Sequence, residues 1–165
     1  MSEWIDATKL SITWMDTPEH YWTWNYLPES GCDVAELHRV CFLNIVGKID
    51  SKRLTRKTSF GAYLVFKLND QQQNLERAIA SVRFVKEKAK GTDGEGYTVF
   101  ISKSKEHGEH GIFPHLRADE WMEIKLGEFF NNLGEDGEVE MTLMETSNDK
   151  WKSGLIVKGI DIRPN

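Results

Sequence analysis

Apolar and polar residues alternate one by one along most of this chain. In GAYLVFKLND (61–70), Ala62, Leu64, Phe66 and Leu68 interleave with Gly61, Tyr63, Val65 and Lys67. In EWMEIKLGE (120–128), Met122, Ile124 and Leu126 share one parity, and Trp121, Glu123 and Lys125 take the other. GEVEMTLMET (137–146) and SGLIVKGIDIRP (153–164) repeat the pattern, and YTVFIS (97–102) and SVRFVK (81–86) are shorter cases. Successive side chains of a strand point to opposite faces, so this spacing predicts strands with one face in a core and one in water. Turn-forming clusters separate the runs: PESG at 28–31, GTDGEG at 91–96, HGEHG at 107–111, EDG at 135–137 and SND at 147–149. Helical spacing is scarce. NLERAIASVRF (74–84) predicts a short helix leading into a strand, and DVAELHRV (33–40) fits either period. The expected fold is all-β, an antiparallel β-sandwich of jelly-roll type with little helix, formed as a single domain over residues 1–165.

Against this regular background the N-terminal segment TWMDTPEHYWTW (13–24) is unusual. It holds Trp14, Trp22 and Trp24 of the chain's six tryptophans, with Trp4 just upstream. Leu10, Ile12 and Trp14 share parity in LSITW, and Trp22 and Trp24 share a face in YWTW. A polar, proline-containing loop joins the two stretches. Core packing and surface display compete for each indole. An exposed indole offers a flat apolar platform, and a neighbouring carboxylate accepts hydrogen bonds. A pyranose ring, with an apolar C–H face and a hydroxyl rim, suits that combination.

Composition and charge narrow the function classes. With 165 residues, 39% of them hydrophobic and 28% charged, the chain can bury one sizeable core. No apolar run approaches the roughly 20 residues of a membrane span. MSEWIDATKL carries acids and no apolar signal-type stretch, so a cytoplasmic location is expected. In such a reducing compartment Cys32 and Cys41 are expected as free thiols. A net charge of -5 argues against a dedicated nucleic-acid binder. The charge is uneven. Lys48, Lys52, Arg53, Arg56 and Lys57 cluster, whereas residues 126–149 contain no Lys or Arg and hold Glu128, Glu135, Asp136, Glu138, Glu140, Glu145 and Asp149. This pattern fits two solvated faces of opposite sign, or a carboxylate-lined site for a neutral polar ligand.

The usual catalytic and cofactor signatures are missing. His107 and His110 sit in a glycine-rich turn without a third ligand, so no metal site is expected. GEDGEVE lacks the spacing of a calcium loop. No phosphate-binding glycine loop, dinucleotide fingerprint or nucleophile elbow is present. Cys41 lies in the apolar stretch CFLNIV, a poor setting for a reactive thiolate. A glycosidase sets its two carboxyls about 5–9 Å apart. On one straight strand Glu138 and Glu145 would lie about 23 Å apart and on opposite faces. No cofactor and no enzymatic activity are expected.

Seven blocks identify a relative. LSITW, YWTW, VAELHRVCFLNIVGKID, AYLVFKL, TVFISK, FPHLRADEWMEIKLGEFFNNLGEDGEVEM and WKSGLIVKGIDIRPN resemble the plant phloem-lectin family over essentially the whole chain. The resemblance implies a β-sandwich lectin that dimerises and works without metal or catalysis. It also implies recognition of N-acetylglucosamine oligomers and of the chitobiose core of N-glycoproteins, in a stress-inducible protein of cytoplasm and nucleus. The family's sugar-binding tryptophans fall on Trp14 and Trp22, and its binding carboxylates on Glu138 and Glu145. Trp24, Tyr21 and Phe113 are second-tier wall residues. Trp14 and Trp22 are expected to face the glycan, with Trp24 anchoring the strand behind them. The family's nuclear signal is a lysine run after TVFISK; here that stretch is SKSKEH, with Lys103 and Lys105, and the 48–57 cluster is the other basic candidate. The competing reading, from another class, is a sandwich-fold protein-interaction adaptor that binds no sugar.

Overall fold

In the computed structural model, which describes residues 2–88, 96–102, 111–146 and 149–165, the alternating segments become strands of two antiparallel sheets. The strands are β1 (Glu3–Asp6), β2 (Ser11–Ile12), β3 (Trp22–Leu27), β4 (Cys32–Leu37), β5 (Leu43–Asp50), β6 (Thr58–Gln73), β7 (Arg77–Phe84), β8 (Tyr97–Phe100), β9 (His115–Leu116), β10 (Met122–Asn131), β11 (Glu138–Glu145) and β12 (Ser153–Pro164). One sheet has the order β3-β4-β12-β6-β10-β9, with β1 also paired to β12; the other has the order β2-β5-β11-β7-β8. The architecture is the expected all-β sandwich. The described helix is one short turn, α1 (Val85–Lys88), and two 3-10 turns at Ala7–Lys9 and Ser51–Arg53.

The core lies between the two inner faces. Phe60, Leu64 and Phe66 of β6, Ile124 and Leu126 of β10, and Val157, Ile160 and Ile162 of β12 meet Ile45 and Ile49 of β5 and Val139, Met141 and Leu143 of β11. Phe129 joins the layers, stacked on Phe60 at 5.5 Å and edge-on to Phe84 at 6.0 Å. Each such side chain contributes about 1.5–3 kcal/mol by leaving water.

The structure corrects one expected element and settles another. Residues 74–84 do not begin with a helix. Residues 77–84 form β7, hydrogen-bonded between β11 and β8, with Ala78, Ala80 and Phe84 turned to the core. Sheet pairing on both sides outweighs the weak helical preference of LERAIA. The ambiguous 33–40 stretch supplies β4, paired with β3 and β12.

The outer face of the larger sheet has its own apolar patch. Trp121, 4% exposed, covers Val34 and Val65, and the ammonium groups of Lys67 and Lys158 lie 4.7 and 5.2 Å from its ring centre. The lysine stems seal the patch while their charges stay near water. Trp4, on β1, lies against Gly159, where a Cβ would meet the Ile5 carbonyl at 2.3 Å and the indole at 2.6 Å. Glycine is required there by close approach.

Candidate functional site

The site begins where β2 stops. The parity of LSITW does not continue to Trp14, because the chain turns after Ile12. The Thr13 N–H donates to the Asn44 carbonyl at 3.1 Å and the Met15 N–H to the Ile12 carbonyl at 3.2 Å. Trp14 takes a left-handed φ of 66°. A non-glycine residue held there costs roughly 1–3 kcal/mol. The turn swings the indole out of the core, and it remains 41% exposed.

Three other segments bring aromatic rings to this indole. Tyr21, just before β3, has its ring centre 5.4 Å from Trp14, and Phe42, just before β5, lies 6.2 Å away. Tyr21 in turn lies 6.2 Å from Trp151, which precedes β12. The Arg39 guanidinium sits 5.6 Å from the Tyr21 ring and 5.4 Å from Trp151. Phe42 and Trp151 are exposed, and Tyr21 is half-buried. These residues form an aromatic platform at one end of the sandwich, where β5 starts and β11 ends.

Glu145 lies at this end and Glu138 does not. β11 pairs with β5 without a bulge, from Glu138 opposite Asp50 to Glu145 opposite Leu43. Seven residues of strand place their backbones about 23 Å apart. Glu138 is exposed, beside the turn at Gly137. Glu145 is only 8% exposed and lies with Lys152, whose side chain is fully buried. Burial pushes the Lys152 pKa down, and the negative charge of Glu145 opposes that shift. Lys152 Nζ donates to the carbonyls of Cys41 at 2.8 Å and Lys150 at 3.0 Å, and its backbone pairs with Val40 in both directions. This network joins the chain before Phe42 to the chain around Trp151.

The two indoles of β3 occupy places opposite to those expected. Trp22 is 2% exposed and packs in the core, so it offers no ring face to a ligand. Trp24, expected as the anchor, is 38% exposed. Both sit on one face of β3, opposite Leu37 and Ala35 of β4. β3 is the edge strand of its sheet, and the core gives out between the two positions. Phe113 is buried elsewhere, stacked on Phe100 at 4.7 Å beside β8, the opposite edge of the smaller sheet from β2. Phe42, Arg39, Trp151 and Lys152 join the site without belonging to any motif in the sequence. A weak signal was available: Phe42 and Trp151 each stand at the start of an alternating run, as Tyr21 does.

A second cleft of about 440 Å³ crosses the outer face of the larger sheet, lined by Arg117, Asp119, Glu123, Asp161 and Arg163. Arg163 holds Glu123 with two bonds of 2.9 and 2.5 Å, bonds Asp161 at 3.0 Å and stacks on Tyr63 at 3.7 Å. These hydrogen bonds keep the Glu123 pKa below its ordinary value against the opposing effect of burial, and raise that of Arg163. The charges in this cleft satisfy one another and tie β12 to β10 across β6. Cys32 and Cys41 are free thiols, and burial pushes Cys32 up, away from thiolate. Among the described residues no group of three or more His, Cys, Asp and Glu side chains gathers as a metal site. His107, His110, Lys103 and Lys105 lie outside the described residues.

The sequence matches the family profile described as Phloem protein 2 over residues 2–164. The chain belongs to the phloem protein 2 family. Two Arabidopsis thaliana relatives of this phloem protein 2 chain, F-box protein PP2-B10 and putative F-box protein PP2-B12, are each 37% identical over 97% of it, which is 59% and 60% of their own lengths. The chain thus spans about three-fifths of these relatives. Among solved structures it is similar to a Podospora anserina GH26-CBM35 β-(1,4)-mannanase, with a TM-score of 0.53 at 9% identity, over 99% of this chain and 28% of that one. That likeness is one of fold.

Proposed function

We propose that this phloem protein 2 chain is a non-catalytic lectin for N-acetylglucosamine oligomers and the chitobiose core of N-glycoproteins. The observation that carries the reading is the open platform of Trp14, Tyr21, Phe42 and Trp151. Flat rings gathered at a solvent-facing end fit the C–H faces of consecutive pyranoses. One stacked ring is worth about 1 kcal/mol by analogy with aromatic pairs. A single sugar therefore binds weakly, and several rings in a row make a usable site. The choice of sugar follows the family likeness, in particular to the jasmonate-inducible agglutinin Nictaba. In this reading Trp14 stacks on sugar and Glu145 acts from beneath through Lys152. Trp22 supports from the core, and Glu138 is too distant to share one ligand with Trp14.

The same likeness leads us to propose a homodimer, a stress-related role in plants, and residence in cytoplasm and nucleus. Two platforms on one dimer engage two glycan chains and raise avidity without any new contact. The two relatives named above are F-box proteins that extend well beyond this chain, and their names favour a second reading: a recognition module that serves an adaptor through protein contacts. Trp14→Ala separates the two. In a lectin it weakens retention on a chitotriose column about fivefold while the protein stays folded. In an adaptor with no sugar site, wild type and variant alike pass through the column.

A further inference from the structure

Arg39 differs from Arg163, which also contacts an aromatic ring. Arg163 rests on Tyr63 but spends its donors on Glu123 and Asp161. Among the described residues the Arg39 side chain makes no hydrogen bond and no ion pair, and its contacts are the faces of Tyr21 and Trp151. The residue is exposed, and its backbone is pinned, with its N–H donating to the Tyr21 carbonyl at 3.2 Å beside the His38 bond at 2.8 Å to the same oxygen. Two rings therefore orient a guanidinium whose N–H donors remain available at the surface of the platform. A guanidinium donates and never accepts, so the partner it suits is an acceptor. Two acids act on Lys152 at this end of the molecule, Glu145, which is buried, and Asp149, which is exposed, and neither pairs with Arg39.

We propose that Arg39 donates to the 2-acetamido carbonyl of a sugar stacked on the platform and so sets the preference for N-acetylglucosamine over glucose. The proposal rests on the carbohydrate-binding reading above. The carbonyl is the strongest neutral acceptor such a ring offers, and glucose carries a hydroxyl in its place. Loss of a charge-assisted hydrogen bond of this kind costs about tenfold in affinity. Stacking is indifferent to the group at C2, so the rings supply affinity and Arg39 supplies the discrimination.

The test is titration of chitotriose and cellotriose, which share a β-1,4 skeleton and differ at C2, into the full chain, its Arg39→Gln variant and its Arg39→Lys variant. Wild type is expected to prefer chitotriose by about tenfold or more. Arg39→Gln is expected to weaken chitotriose by about tenfold and leave cellotriose nearly unchanged, and Arg39→Lys to recover part of the preference. Equal weakening of both sugars would show that Arg39 only props the rings, and the proposal fails. It fails also if Arg39→Gln keeps the preference, or if a trigalacturonate binds wild type more tightly than chitotriose, which would make a carboxylate the partner. If wild type binds neither neutral trimer, the carbohydrate reading itself falls.

Discussion

Lys152 Nζ donates to the Cys41 carbonyl at 2.8 Å, and this buried bond joins the segment that carries Phe42 to the segment that carries Trp151. The platform is thus built over a lysine that never reaches solvent. Removing Lys152 leaves the Cys41 and Lys150 carbonyls without their donor, and an unsatisfied buried group costs about 1–3 kcal/mol. Lys152→Met is therefore expected to lower stability to urea by that order. It should also weaken chitotriose binding, although Lys152 touches no ligand. Because burial lowers the Lys152 pKa, the unfolded chain holds the proton to higher pH than the folded one. The cost of burying this charge is complete below the lowered folded-state value and is relieved as pH rises from there towards the ordinary lysine value.

Trp14 and Trp22 should separate cleanly on mutation. Trp22→Ala empties a core position and is expected to cost about 3–5 kcal/mol in urea unfolding. Trp14→Ala removes an exposed ring, and is expected to change stability little while weakening sugar binding about fivefold. The reverse result, with Trp22→Ala folded and unable to bind, would restore Trp22 as a contact residue.

Glu123 provides a pH signature away from the platform. Its pKa is held below the ordinary 4.5 by Arg163. A depressed carboxylate binds fewer protons folded than unfolded, so its stabilising share is complete above 4.5 and fades as pH falls through the lowered value. Glu123→Gln should lower stability at neutral pH and shrink the difference between neutral and strongly acidic conditions. Urea unfolding at both pH values measures the two effects together.

Asn131 is a purely structural counterpart. Its buried Nδ2 donates to the carbonyls of Ser51 and Leu54 at 3.2 Å and of Thr55 at 3.0 Å, closing the chain between β5 and β6. Asn131→Ala should cost about 1–3 kcal/mol by the same logic of unmet carbonyls. Affinity for chitotriose should stay unchanged, because β10 ends far from Trp14.

The strands were legible because period-two alternation is local, and Leu64, Ile124, Leu143 and Ile160 all point inward as their spacing predicts. The site was only half legible. Parity places Trp22 and Trp24 on one face but does not say where the core ends beneath an edge strand. The spacing of Glu138 and Glu145 was informative, since the uninterrupted β11–β5 register sets them at opposite ends. Phe42, Arg39 and Trp151 were not found because they meet only through pairing of distant segments, such as the Val40–Lys152 bridge. Local spacing marks Phe42 and Trp151 only as the starts of alternating runs and does not say which segments meet.

The most direct measurement is tryptophan fluorescence of the full chain during titration with the mono-, di- and trisaccharides of N-acetylglucosamine. A platform of consecutive rings predicts affinity that rises with each added sugar, and a signal that shrinks and needs about fivefold more sugar in Trp14→Ala. Equal affinity across the three lengths, or an unchanged signal in that variant, would contradict a sugar site at this end of the sandwich.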